Sequence, residues 1–144
     1  MSQLCTKLWM HVILSIKNNN AFISSSVEKK LHDQLHNELL ACGCVVLIIN
    51  GMPDHIHLLF EQNHKMSVEE IIKQVKTNSS RWMNEKNLIS RKFTWEKGYA
   101  AYSVSESEIQ KVFHTIFMQK FRHGNQTFKD EYEELSMAHG LGRR

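Results

Sequence analysis

The sequence predicts an α+β fold, a ferredoxin-like (split βαβ) antiparallel sheet with helices packed on one face. Three observations carry the prediction. Residues 8–17 alternate, with Leu8, Met10, Val12, Leu14 and Ile16 on one face and Trp9, His11, Ile13, Ser15 and Lys17 on the other. Two later apolar segments flank Gly51-Met52-Pro53-Asp54, and two stretches of helical period separate the strand-like segments. The resulting order, β-α-β-β-α-β-α-α, is too interleaved for a parallel α/β fold. It fits one mixed, mainly antiparallel sheet in a single domain over residues 1–144.

Each element has a local reason. The period-two stretch at 8–17 predicts a half-buried strand, and Asn18-Asn19-Asn20 predicts the turn that ends it. Ser26 is placed to cap a helix whose Val27, Leu31, Leu35, Leu39 and Cys42 share one side, and Gly43 to stop it. Cys44 to Asn50 is continuously apolar and predicts a buried strand. The Gly51–Asp54 break then predicts a tight hairpin into the strand that begins at His55.

Ser67 and Glu70 match a capping box, followed by Val68, Ile71, Ile72, Val75, Ser79, Trp82 and Met83 as a buried stripe. Residues 87–97 are basic and loop-like. Ala100–Ser103 predicts a short strand, and Ser105 a cap for a helix that covers Ile109, Val112, Phe113 and Ile116. Thr127 is placed to cap a last short helix, and residues 140–144 suit a frayed tail.

Composition is that of an ordinary soluble protein, 42% hydrophobic and 23% charged. No apolar run is long enough to span a bilayer and no signal pattern opens the chain, so a cytoplasmic protein without a membrane partner is expected. Three cysteines suit free thiols in a reducing compartment. A net charge of +3 permits a nucleic-acid partner without requiring one.

The chemistry concentrates in His55-Ile56-His57. On a strand, residues two apart point the same way, so both imidazoles share one face and can clamp a divalent metal. A pair of strand histidines without a ligand is the plainer reading of that spacing alone. On the second helix, Lys73, Lys76, Thr77, Ser80 and Arg81 form a face of short or cationic donors. Such a face is usually only solvated, and it also suits a phosphate backbone.

Four segments together go further. Met10–Lys17, Met52-Pro53-Asp54-His55-Ile56-His57, Lys76 with Ser79-Ser80-Arg81-Trp82, and Trp95-Glu96-Lys97-Gly98-Tyr99 through Ser105 occur in that order. They resemble the single-tyrosine HUH transposases of insertion sequences and their REP-associated tyrosine transposase relatives, over about residues 10–139. The resemblance implies a ferredoxin-like protein, usually a homodimer, that cuts and rejoins hairpin-forming single-stranded DNA. It implies one Mg²⁺ or Mn²⁺ held by His55, His57 and Gln119, with Asp54 orienting a histidine. It also implies a helical tyrosine, one turn before the glutamine, that forms a 5′-phosphotyrosine while a 3′-hydroxyl leaves. Lys73, Lys76, Ser80, Arg81, Trp95, Tyr99 and Arg122 are the expected DNA contacts, by backbone binding or base stacking.

The departure is at the nucleophile, where the sequence has Thr115. A threonine hydroxyl is far less acidic than a phenol of pKa about 10, and it is shorter and a poorer leaving group. The covalent step is therefore expected to be lost or badly impaired. Tyr99, Tyr102 and Tyr132 are poor substitutes by position, and of the His-His pair that follows the glutamine in many relatives only His123 is kept. The competing expectation is a catalytically inactive DNA-binding protein, regulatory or relic. A ferredoxin-like RNA-binding module fits worse, because the sheet lacks that module's aromatic pair.

Overall fold

The alternating segment near the amino terminus becomes the strand around which the sheet is ordered. The computed structural model describes residues 5–17 and 23–119. In chain order these form β1 (Trp9–Ser15), α1 (Ser25–Ala41), β2 (Val45–Met52), β3 (His55–Glu61), α2 (Val68–Glu85), β4 (Ala100–Val104) and α3 (Ile109–Phe117). A 3₁₀ turn at Glu106–Glu108 leads into α3. The sheet order is β2-β3-β1-β4, and every pairing is antiparallel. This is the predicted split βαβ arrangement, with no parallel pair in it.

Register sorts the side chains into two layers. Val12 pairs with Leu58 and Leu14 with Ile56, so these residues share a face with Phe60. Val27, Leu31, Leu35 and Leu39 of α1 and Ile71, Ile72, Val75 and Met83 of α2 close over that face as the main core. The opposite face carries Leu59 and Val104, covered by Val112 and Ile116 of α3. Two helices thus pack on one face as expected, and the short α3 lies on the other.

Several local expectations change. β1 and β3 occupy the middle of the sheet, so β1 is covered on both faces rather than half-buried. β2, expected to be buried, is an edge strand with Val45 and Leu47 exposed. A continuous apolar run does not by itself distinguish an edge from a centre. Pairing of β2 with β3 shifts between Val46 and Ile48, leaving Leu47 as the extra residue of a bulge. The cap of α1 is Ser24, whose Oγ accepts from the Val27 amide at 3.4 Å, while Ser26 lies in the first turn. Gly43 ends that helix at φ +78, as predicted.

The Ser67–Glu70 capping box is complete, with Glu70 N donating to Ser67 Oγ and Ser67 N to Glu70 Oε1, each at 3.1 Å. The Ser67 amide and then its hydroxyl, both donating to Glu70 Oε1, lower the pKa of the Glu70 carboxyl. Ser105 precedes the 3₁₀ turn without a side-chain cap bond. Asn18-Asn19-Asn20, the Thr127 helix and the tail fall outside the described residues.

The β2–β3 hairpin closes through Pro53 and Asp54 and depends on the absence of a side chain at Gly51. A Cβ there would lie 2.3 Å from the His55 carbonyl oxygen and 2.8 Å from Ile56 Cα, both backbone atoms. Gly51→Ala is expected to cost about 1–3 kcal/mol, the range for overpacking. Urea unfolding of the two proteins checks this, and an unchanged midpoint would contradict it.

Candidate functional site

β1–β3 pairing sets Ile13 opposite His57 and Ser15 opposite His55. His11 lies on the same face, and all three histidines are fully buried. The His55 and His57 rings meet edge to face with centroids 5.2 Å apart. Each ring is held at its Nδ1. His55 Nδ1 lies 2.7 Å from Asp54 Oδ1, and His57 Nδ1 lies 2.9 Å from His11 Nε2.

A carboxylate only accepts hydrogen bonds, so the neutral His55 ring bonded to it carries its proton on Nδ1 and its in-plane lone pair on Nε2. When His57 donates to His11, the same holds for His57. An outer acceptor at one ring nitrogen that leaves the other for a ligand is the usual setting of metal-binding histidine. The donor set therefore fits a divalent ion. Among the described residues no group of three His, Cys, Asp or Glu side chains is placed to hold a metal. Among the described residues a third protein ligand would have to be of another kind, and an amide oxygen qualifies.

Gln119 offers that oxygen and is itself buried. Asn50 stands opposite His57 on β2. The Asn50 amide donates to the carbonyls of Ile116 at 3.0 Å and Phe117 at 3.4 Å. Both carbonyls lie in the last turn of α3. Asn50 thus fastens the end of α3 to the histidine face, two residues before Gln119.

Thr115 lies one turn earlier, and its Oγ1 donates to Lys111 O at 3.0 Å. Phe113, expected to be covered, is 38% exposed and stacks on the exposed Phe117 with ring planes 9° apart. Only Val112 and Ile116 of α3 are fully buried, because so short a helix covers the sheet with a narrow stripe.

The expected DNA contacts separate into two groups. Trp95 is a core residue: its ring is 5% exposed, lies edge-on to Phe93, and donates Nε1–H to Ser79 Oγ at 2.9 Å. That removes it as a stacking surface. Lys76 turns inward and donates to the carbonyls of Glu96 at 2.6 Å and Gly98 at 2.9 Å, so it holds the 96–98 loop. Burial lowers its ammonium pKa, against the opposing charge of Glu96. Lys73 and Arg81 remain exposed on α2, and Ser80 Oγ donates to Thr77 O.

Tyr99 is 38% exposed, and partial burial followed by the charge of Glu69 raises its phenol pKa. Tyr102 is buried beside His11, with ring centroids 6.0 Å apart. Arg122, His123 and Tyr132 lie outside the described residues.

A model of IS200-like transposases matches residues 5–119, from ahead of β1 to Gln119. The chain belongs to the IS200-like transposase family. Among the relatives of this IS200-like chain is the ISDra2 transposase TnpA of Deinococcus radiodurans. It is 27% identical over 113 residues, covering 73% of this chain and 81% of the relative. The fold matches the crystal structure of a candidate transposase from Deinococcus radiodurans R1 with a TM-score of 0.65 at 23% identity, covering 83% of this chain and 98% of that one. It also matches a REP-associated tyrosine transposase bound to a REP hairpin, with a TM-score of 0.64 at 12% identity over 99% of this chain and 89% of that one.

Sequence reasoning missed His11 and Asn50 as parts of this site. Each is a polar residue on a strand of apolar neighbours, which was the available signal. Asn50→Ala is expected to lower stability by about 1 kcal/mol, the net worth of such hydrogen bonds. Amide exchange should quicken in α3 while α1 and α2 keep their protection. Equal exchange in α3 of both proteins would separate Asn50 from the placement of Gln119.

Proposed function

We propose that this IS200-like protein binds hairpin-forming single-stranded DNA at the histidine face, and that it has lost most or all of the covalent step of DNA transposition. The observation that carries the second half is the Thr115 hydroxyl. It is an alkyl alcohol at the position of the family's tyrosine, and it is engaged with Lys111 O. The hairpin-bound REP-associated neighbour and the family match support the DNA ligand.

In this reading His55, His57 and Gln119 hold Mg²⁺ or Mn²⁺, the ions that the family resemblance implies. When bound, such an ion supplies Lewis-acid polarisation of a phosphate oxygen. The chain's own residues do the rest. Asp54 and His11 fix the two imidazoles, and Asn50 sets the end of α3 so that Gln119 faces them. The sheet and α3 exclude water from the ring faces. Lys73, Arg81 and Arg122 contact the DNA backbone, and Ser80 adds a neutral donor. The exposed Phe113 and Phe117 support a homodimer, and a DNA substrate suits a cytoplasmic protein. No helix among the described residues is long and apolar enough to cross a membrane.

The second reading is a catalytically inactive DNA-binding protein of regulatory or relic type, favoured by the same Thr115 contact. Two experiments test the proposal. Hairpins selected from a randomised single-stranded library are expected to bind without forming an adduct. Thr115→Tyr with Mn²⁺ is expected to yield a protein–DNA adduct that survives denaturing electrophoresis. An adduct from the unaltered protein would overturn the loss of chemistry, and failure to enrich any hairpin over duplex would overturn the ligand. An inert Thr115→Tyr variant that still binds hairpin would favour the second reading. Separately, His11→Phe is expected to weaken Mn²⁺ binding about 10- to 100-fold by titration calorimetry, with unchanged far-ultraviolet dichroism. Equal affinity would remove His11 from the site.

A further inference from the structure

Beside the histidine pair lies a cleft of about 280 Å³, lined by Ile13 and Ser15 of β1, Ala100 of β4, and Glu96, Lys97 and Tyr99 of the loop before β4. We propose that it takes one unpaired nucleobase, that of the nucleotide next to the phosphate at the histidines. The inference rests on the DNA-binding reading and deepens it.

Position comes first. Ile13 and Ser15 are the direct cross-strand partners of His57 and His55. Side chains so paired on one face stand about 4.5–5.5 Å apart, so cleft and histidines are immediate neighbours. A phosphate at the pair leaves its own nucleotide within reach of the cleft. Size agrees: the volume lies at the bottom of the range for small-ligand sites, about 300 Å³, room for one base rather than a stack.

Chemistry separates base from phosphate. Glu96 and Lys97 at the rim carry opposite charges, which gives an anion little net attraction. Ile13 and Ala100 supply an apolar floor, and Tyr99 an aromatic surface that is still 38% exposed. An aromatic face over an apolar floor suits any base, because every base has a π-face. Ser15 and Glu96 add polar side chains able to meet base-edge groups.

The walls are built in advance. Glu96 N donates to Ser15 O and Lys17 N to Thr94 O, each at 2.8 Å. Lys76 ties the Glu96 and Gly98 carbonyls to α2. A bridge between Ile16 and Trp95 joins the same two segments. The loop therefore meets a base in the shape it already has, without an ordering cost at binding.

The test uses a hairpin recovered by selection, with a single-stranded flank of about ten nucleotides, within the usual site size for single strands. Each flank nucleotide is replaced in turn by an abasic residue, and affinity is read by fluorescence anisotropy. One position is expected to lose about 5- to 150-fold, the range of a single base–aromatic stack. Tyr99→Ala should make the protein indifferent to that position, and Tyr99→Phe should restore the sensitivity. Ala100→Leu, which fills the cleft and leaves Tyr99 in place, should abolish it as Tyr99→Ala does.

Equal tolerance of abasic residues along the whole flank overturns the proposal while hairpin binding stands. So does an Ala100→Leu variant that keeps its sensitivity, since Tyr99 would then be an open platform. Failure of the unaltered protein to enrich any hairpin overturns the DNA reading and the cleft with it.

Discussion

The antiparallel register of β1 against β3 is the constraint on which the rest depends. Because side chains alternate, a slip of one residue would send His55 and His57 into the layer of α1 and α2 and bring Ile56 and Leu58 out. The apolar residues prevent that slip. Val12, Leu14, Ile56, Leu58 and Phe60 all face one core, and a slip of one residue would turn one strand's set away from it. The main core thus fixes the geometry of a polar site in which it takes no direct part.

That site is costly. Three fully buried imidazoles and the half-buried Asn50 amide on one side of a sheet would destabilise the fold if left without partners. The structure meets the cost locally, with Asp54 against His55, His11 against His57, and Asn50 against the carbonyls at the end of α3. Such a network restrains its members in orientation as well as energy. The network orients both imidazoles and the end of α3 without drawing on Thr115, whose Oγ1 is engaged with Lys111 O.

The legible features were those set by local chemistry. The Ser67–Glu70 capping box, the Gly43 stop, the alternation at Trp9–Ser15 and the Pro53–Asp54 turn each depend on residues a few positions apart. Together they were enough to imply the order of elements along the chain. His55 and His57 were visible by spacing, and Gln119 only through family resemblance. What escaped notice is set by contacts distant in sequence. Trp95 is buried because Ser79 and Phe93 enclose it, and Lys76 turns inward because the 96–98 carbonyls lie within its reach. Neither residue type announces that choice. The pairing of His11 with His57 spans 46 positions and had no local signature.

The bulge at Leu47 has a consequence of its own. Up to Val46 the strand is in phase with the helix layer, and from Ile48 onward it is in the opposite phase, so that Ile48 and Asn50 face α3. The bulge therefore lets one edge strand set Val46 and Ile49 against the main core and Ile48 and Asn50 toward α3, with Leu47 exposed between them. That one extra residue aims Asn50 at the end of α3 while the strand keeps its apolar contacts with the main core on both sides of it.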